Sequence, residues 1–124
     1  MSDSNVRSMN LAVFLTSCGN YHHEGWRHPE AWVDGSTNIQ RWIEMARIAE
    51  DAKLDMLFVA DQIAIVGGDE LSAIENSSKV NRFEPMTLLS ALTAHTKKIG
   101  LAGTCATSYS EPYTVARMFA SLDH

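Results

Sequence analysis

The sequence predicts an α/β fold built from repeated parallel strand–helix units, and three observations carry that prediction. Met56-Leu-Phe-Val-Ala-Asp61 is an apolar run that stops at a carboxylate. A strand buried on both faces shows such a continuous run rather than alternation. Residues 10–61 pass from an apolar segment through an amphipathic one to a second apolar segment, the order of a right-handed βαβ crossover. Glu84-Pro-Met-Thr87 and Glu111-Pro-Tyr-Thr114 lie 27 positions apart, and each leads from a loop into an amphipathic stretch. That spacing suits a β–α module repeated around a barrel of parallel strands.

Residues 1–8 are polar and read as a frayed terminus. Asn10-Leu-Ala-Val-Phe-Leu15 is the first strand. Residues 16–38 then carry Gly19, Gly25, Pro29 and Gly35 among aromatics and histidines. Connections in compact domains run about 2–6 residues, so a loop of this length points to function. Ser36, Thr37 or Asn38 can cap the helix that follows, with Ile39, Trp42, Ile43, Ala46, Ala49 and Ala52 on its inner face. Glu44, Arg47, Glu50 and Asp51 take the outer side.

The strand ending at Asp61 comes next, then a second long polar stretch over residues 62–84. Pro85 suits the first position of a helix. Leu88, Leu89, Leu92 and His95 form its inner stripe, and Lys97 and Lys98 complement the dipole at its end. Ile99-Gly-Leu-Ala-Gly-Thr104 is a third strand, with glycines where backbones approach closely. A last helix turns Tyr113, Val115, Ala116, Phe119 and Leu122 inward. Three strands cannot close a barrel, and a (β/α)8 barrel needs at least ~200 residues. The 124 residues therefore read as the first three βα units of an α/β TIM barrel that is incomplete in this chain.

Hydrophobic content of 45% and charged content of 20% fit a globular protein rather than a disordered one. A formal net charge of −5, with the basic residues scattered, argues against a nucleic-acid partner. No segment approaches the ~20 apolar residues of a membrane span. Cys18 and Cys105 do not make a disulfide framework and suit a reducing, cytoplasmic compartment. A lipoprotein site at Leu15-Thr-Ser-Cys18 is the rival reading, but its apolar core of five residues falls short of the roughly 7–15 that a signal segment needs.

Ligands of parallel α/β folds bind at the C-terminal edge of the strands. Asp61 and Thr104 end successive strands and so share that rim, within reach of one flat ligand. Taken singly, each is more often a turn cap or a filler of space; their paired placement favours binding. His22-His23-Glu24 with His28 does not match a metal-ligand spacing, and no metal site is expected. His23, Trp26 and Arg27 suit the wall of a substrate pocket. Cys105 reads as packing, and neither a P-loop nor a dinucleotide fingerprint is present. No catalytic residue is assigned.

Six motifs together resemble the bacterial luciferase-like flavin monooxygenases, in the branch of nitrilotriacetate monooxygenase component A and its desulfurisation and EDTA-degrading relatives. They are Gly25-Trp-Arg-His-Pro29, Phe58-Val-Ala-Asp61, Glu84-Pro-Met-Thr-Leu-Leu89, Ile99-Gly-Leu-Ala-Gly-Thr104, Ser110-Glu-Pro-Tyr113 and Ala116-Arg-Met-Phe-Ala-Ser-Leu-Asp-His124. The resemblance covers nearly everything from residue 10 onward and makes residues 1–124 the N-terminal part of one such domain.

The resemblance implies a cytoplasmic enzyme that oxidises a small organic substrate with O2 through a flavin hydroperoxide. Reduced FMN (FMNH2) would come from a separate NAD(P)H-dependent flavin reductase, and the full-length protein would be a homo-oligomer. The family's flavin contacts on strands two and three map to Asp61 and Thr104. The 124 residues alone are then expected to be inactive. A truncated product or flavin-binding module, and a deazaflavin F420-dependent relative, are the alternatives.

Overall fold

A computed structural model of the chain describes residues 8–16, 25–64, 75 and 80–124. Three short strands, β1 (Ala12–Leu15), β2 (Met56–Val59) and β3 (Gly100–Gly103), form one parallel sheet in the order β1-β2-β3. Ala12 pairs with Met56 and Met56 with Gly100; Leu15 pairs with Val59 and Val59 with Gly103. All three strands therefore begin at one edge and end at the other. Among the described residues, three helices of more than one turn alternate with them: α1 (Ile39–Asp51), α2 (Pro85–Thr93) and α3 (Pro112–Asp123).

Helix α1 starts where the sequence offers a cap. The Asn38 side chain accepts the amide of Gln40 at 3.0 Å. Trp42, Ile43, Ala46 and Ala49 are buried, spaced three and four apart as an apolar stripe requires. Its end closes with Lys53 donating to Glu50 O and Leu54 to Ala49 O, which is the Schellman arrangement. Lys53 takes the left-handed conformation there, at φ 64°.

Helix α2 is capped by Glu84, whose two carboxylate oxygens accept the amides of Met86 and Thr87, each at 2.8 Å. Glu111 holds the same backbone conformation ahead of α3, yet its side chain makes no capping bond. The repeated Glu-Pro-x-Thr motif thus sets the same entry angle twice and uses its carboxylate as a cap once.

The core lies between the helices and one face of the sheet. Leu57 and Val59 of β2 meet Trp42, Ile43, Ala46 and Ala49 of α1 and Leu88, Leu89 and Leu92 of α2. Each fully buried leucine contributes roughly 1.5–3 kcal/mol. Side chains alternate along a strand, so Phe14 and Phe58 fall on the opposite face, with ring centroids 5.3 Å apart. Phe14 is 41% exposed there.

Several expectations about the helices differ from the structure, and Ala52, expected on the inner face of α1, is exposed at its C-cap. Lys97 and Lys98 lie beyond the end of α2, in the turn before β3, and it is their backbone amides that are held, not their charges. His95 is exposed, with its ring 3.5 Å from Arg47. Helix α3 has no buried residue. It packs against α2 beyond the last described strand, so Tyr113 is 77% exposed and the apolar positions Met118 and Leu122 line a cavity of about 710 Å³ between the two helices.

Candidate active site

The two edges of the sheet are built differently. At the N-terminal edge, carboxylates are consumed by backbone. Asp55 Oδ2 accepts the amide of Leu11 at 2.8 Å. Glu50, at the end of α1, reaches the turn before β3, where Oε1 accepts the amides of Lys97 (2.7 Å), Lys98 (2.5 Å) and Ile99 (3.1 Å). Those three donors hold the Glu50 carboxyl below the usual glutamate range.

The C-terminal edge carries the sequence-predicted site residues. The Thr104 amide donates to Val59 O at 3.0 Å, extending the β2–β3 ladder one step past Gly103. A Cβ on Gly103 would point at Leu89 and Pro85 of α2, so alternation turns Thr104 to the opposite face, the side of Phe58. Asp61 lies two residues beyond β2 on the same edge. It is half-buried, and its Oδ1 accepts the amide of Gln62 at 2.7 Å. A carboxylate offers about four lone-pair sites, so Asp61 keeps capacity for a ligand. A threonine hydroxyl both donates and accepts.

The structure adds a residue that the sequence did not single out. Arg82, two positions ahead of the Glu84 cap, is half-buried, and its Nε is buried without a hydrogen-bond partner among the described residues. Burial pulls its guanidinium below the usual arginine range, and the Asp61 carboxylate pushes it back up. A lone arginine in a polar stretch carries little signal by itself. Its one cue was its place just before a helix that starts at the rim.

Residues 25–38, between β1 and α1, carry Trp26 and Arg27, which the sequence suggested for a pocket wall. A short 3-10 turn, Gly25–Arg27, sets the Arg27 guanidinium 5.0 Å from the centre of the Trp26 ring. Farther on, Arg41 stacks 4.6 Å over Trp32, and the Trp42 indole donates to Gly35 O at 2.9 Å, so α1 anchors the end of this loop. Trp26 Nε1 is buried without a hydrogen-bond partner among the described residues. His28 is exposed and turns its Nδ1 to the amide of Glu30 at 3.2 Å, a local bond.

Cys105 is a free thiol 3.8 Å from the Ser110 hydroxyl. Cys18, His22, His23, Glu24 and the Gly67-Gly68 pair lie outside the described residues. Among the described residues no group of three or more His, Cys, Asp or Glu side chains could hold a metal ion, and no helix is long and apolar enough to cross a membrane.

The family model described as "Luciferase-like monooxygenase" matches residues 9–124. The N-acetyl-S-(2-succino)cysteine monooxygenase of Bacillus subtilis (strain 168) is 47% identical over 121 residues, covering 98% of this chain and 26% of that protein. Nitrilotriacetate monooxygenase component A of Aminobacter aminovorans is 44% identical over 124 residues, covering 95% and 27%. Among solved structures, a riboflavin lyase with modified FMN and riboflavin superposes with a TM-score of 0.82 at 31% identity, over 95% of this chain and 27% of that one. The chain spans about a quarter of the length of these relatives. Its three parallel strands are therefore a part of the luciferase-like (β/α)8 barrel, which stays incomplete here.

Proposed function

The chain belongs to the luciferase-like monooxygenase family, and on that basis we propose that it forms part of a two-component enzyme. That enzyme uses reduced FMN and O2 to oxidise a small organic substrate. A separate NAD(P)H-dependent reductase supplies the reduced flavin, as the "component A" of the Aminobacter relative suggests, and the cytoplasm is the compartment where the two would meet. Residues 1–124 are read as the N-terminal part of one such domain. The observation that carries the reading is the common edge of Asp61 and Thr104, at the ends of two hydrogen-bonded parallel strands.

The residues fit a flavin in chemistry as well as position. Thr104 brings a hydroxyl to the side of the sheet that the helices do not cover, and Asp61 brings an acceptor beside it on the rim. An isoalloxazine ring presents both N–H donors and carbonyl acceptors, which these two groups complement. Reduced FMN supplies the reaction with O2 when bound; the protein binds it, orients it and keeps water out. Phe14 and Phe58 supply an apolar floor below the rim.

The test is binding of reduced and oxidised FMN to the protein at full barrel length, with reductase-coupled substrate oxidation as the second readout. Replacing a hydrogen-bonding side chain at such a site costs about 1.4 kcal/mol or more. Asp61→Ala and Thr104→Ala are each expected to weaken flavin binding about tenfold or more. Unchanged binding in both variants would overturn the assignment.

A further inference from the structure

Asp61 and Arg82 stand near the two ends of the segment that joins β2 to α2. Helix α2 brings those ends back to one place. Its first residue, Pro85, lies against Gly103, which pairs with Val59, two positions before Asp61. Phe83, beside Arg82, packs on the core. Arg82 is therefore returned to the rim from which Asp61 departs, and both are half-buried there.

The two charges are neighbours without being a contact pair. Asp61 is the carboxylate whose charge reaches the Arg82 guanidinium, whereas Glu84 commits both oxygens to amides of α2. Among the described residues no hydrogen bond or ion pair joins Arg82 to Asp61. Asp61 Oδ1 takes the Gln62 amide, and Arg82 Nε has no partner. The difference matters chemically. A guanidinium in bidentate contact occupies both oxygens of a carboxylate. One held farther off still attracts it, because a partly buried pair is weakly screened, and leaves Oδ2 open to a ligand.

We propose that Arg82 is a positioning residue, whose charge holds the Asp61 carboxylate at the rim as an acceptor for the flavin without itself touching the flavin. The inference rests on the flavin reading of Asp61 and Thr104 and adds the residue that prepares Asp61 for that contact. An unrestrained carboxylate must be ordered when its ligand arrives, at a cost in side-chain entropy. The Gln62 amide fixes one oxygen of Asp61, and attraction to Arg82 restrains the group as a whole. A contact residue ordered in advance by its neighbours loses less affinity on binding.

The test is a double-mutant cycle in the protein at full barrel length, titrated anaerobically with reduced FMN and with reduced riboflavin. Asp61→Asn alone and Arg82→Met alone should each weaken both flavins by about threefold or more. Beside Asp61→Asn, the further loss from Arg82→Met should stay within about twofold, because the charge it acts on is gone. Arg82→Lys keeps the charge and should keep most of the affinity, whereas Arg82→Gln should not. Thermal melts report folding, and Arg82→Gln takes the place of Arg82→Met in the cycle if the latter melts early. Equal losses in the two backgrounds overturn the inference, as do unchanged affinities in Arg82→Met. So does an Arg82→Lys that binds no better than Arg82→Gln, since the arginine would then act through packing. A loss confined to FMN overturns it too, because the arginine would serve the phosphate directly. If Asp61→Asn binds both flavins as the wild type does, the flavin reading of Asp61 fails and takes the inference with it. If Asp61→Asn weakens binding and the Arg82 variants do not, the inference alone fails.

Discussion

A Cβ placed on Gly103 would sit 2.8 Å from Leu89 Cδ1 and 3.2 Å from Pro85 Cβ. Strand β3 and helix α2 are thus in contact at a point where only a hydrogen fits, one residue before Thr104. Leu89 is fully buried and Pro85 is a rigid ring at the first turn of α2, so neither can step aside cheaply. Gly103→Ala should lower stability by about 1–3 kcal/mol, seen as a shifted denaturation midpoint. If the helix yields instead, the shift will be under 0.5 kcal/mol, and the close approach is not a constraint.

The two Glu-Pro-x-Thr motifs should respond differently to the same substitution. Glu84 caps two amides of α2, whereas the Glu111 side chain caps none. Glu84→Ala is expected to cost about 1 kcal/mol and Glu111→Ala less than about 0.5 kcal/mol. Chemical denaturation of both variants measures the difference. Equal losses would mean that the motif acts through its backbone alone.

Glu50 gives a pH dependence of known sign. Its folded carboxyl titrates lower than in the unfolded chain because three backbone amides point at it. The stabilisation is therefore present at pH values above the ordinary glutamate range and is lost as the pH falls through that range and below it. Glu50→Gln removes the ionisation, so its stability should change less than the wild type's over that acid window. Parallel denaturation curves at a series of acidic pH values make the comparison.

Much of the architecture was legible because the relevant signals are local. Apolar runs ending near Leu15, Asp61 and Thr104 marked the strands, and the spacing of Trp42, Ile43, Ala46 and Ala49 marked the buried face of α1. The exposed face of α3 was not legible, since periodicity shows which residues could be covered and not whether anything covers them. Lys97 and Lys98 looked like helix-end charges; their role lies in amides that every residue has, and only the reach of Glu50 makes them matter. The shared edge of Asp61 and Thr104 follows from where the apolar runs stop. Their assignment to flavin came from resemblance. Arg82 acquires meaning only once the strand and helix ends are brought to one side of the sheet.

The amide-bound carboxylates of Asp55 and Glu50 stand at the edge of the sheet opposite the one proposed to meet a ligand. Residues that staple the strands sit at one end, and the long connecting segments leave from the other. Loop sequences at the open end can drift without loosening the staples, so one inherited scaffold can change its diet. The spread of relatives, from nitrilotriacetate and a succinylated cysteine to long-chain alkanes and dimethyl sulfide, is the pattern that such a division of labour allows.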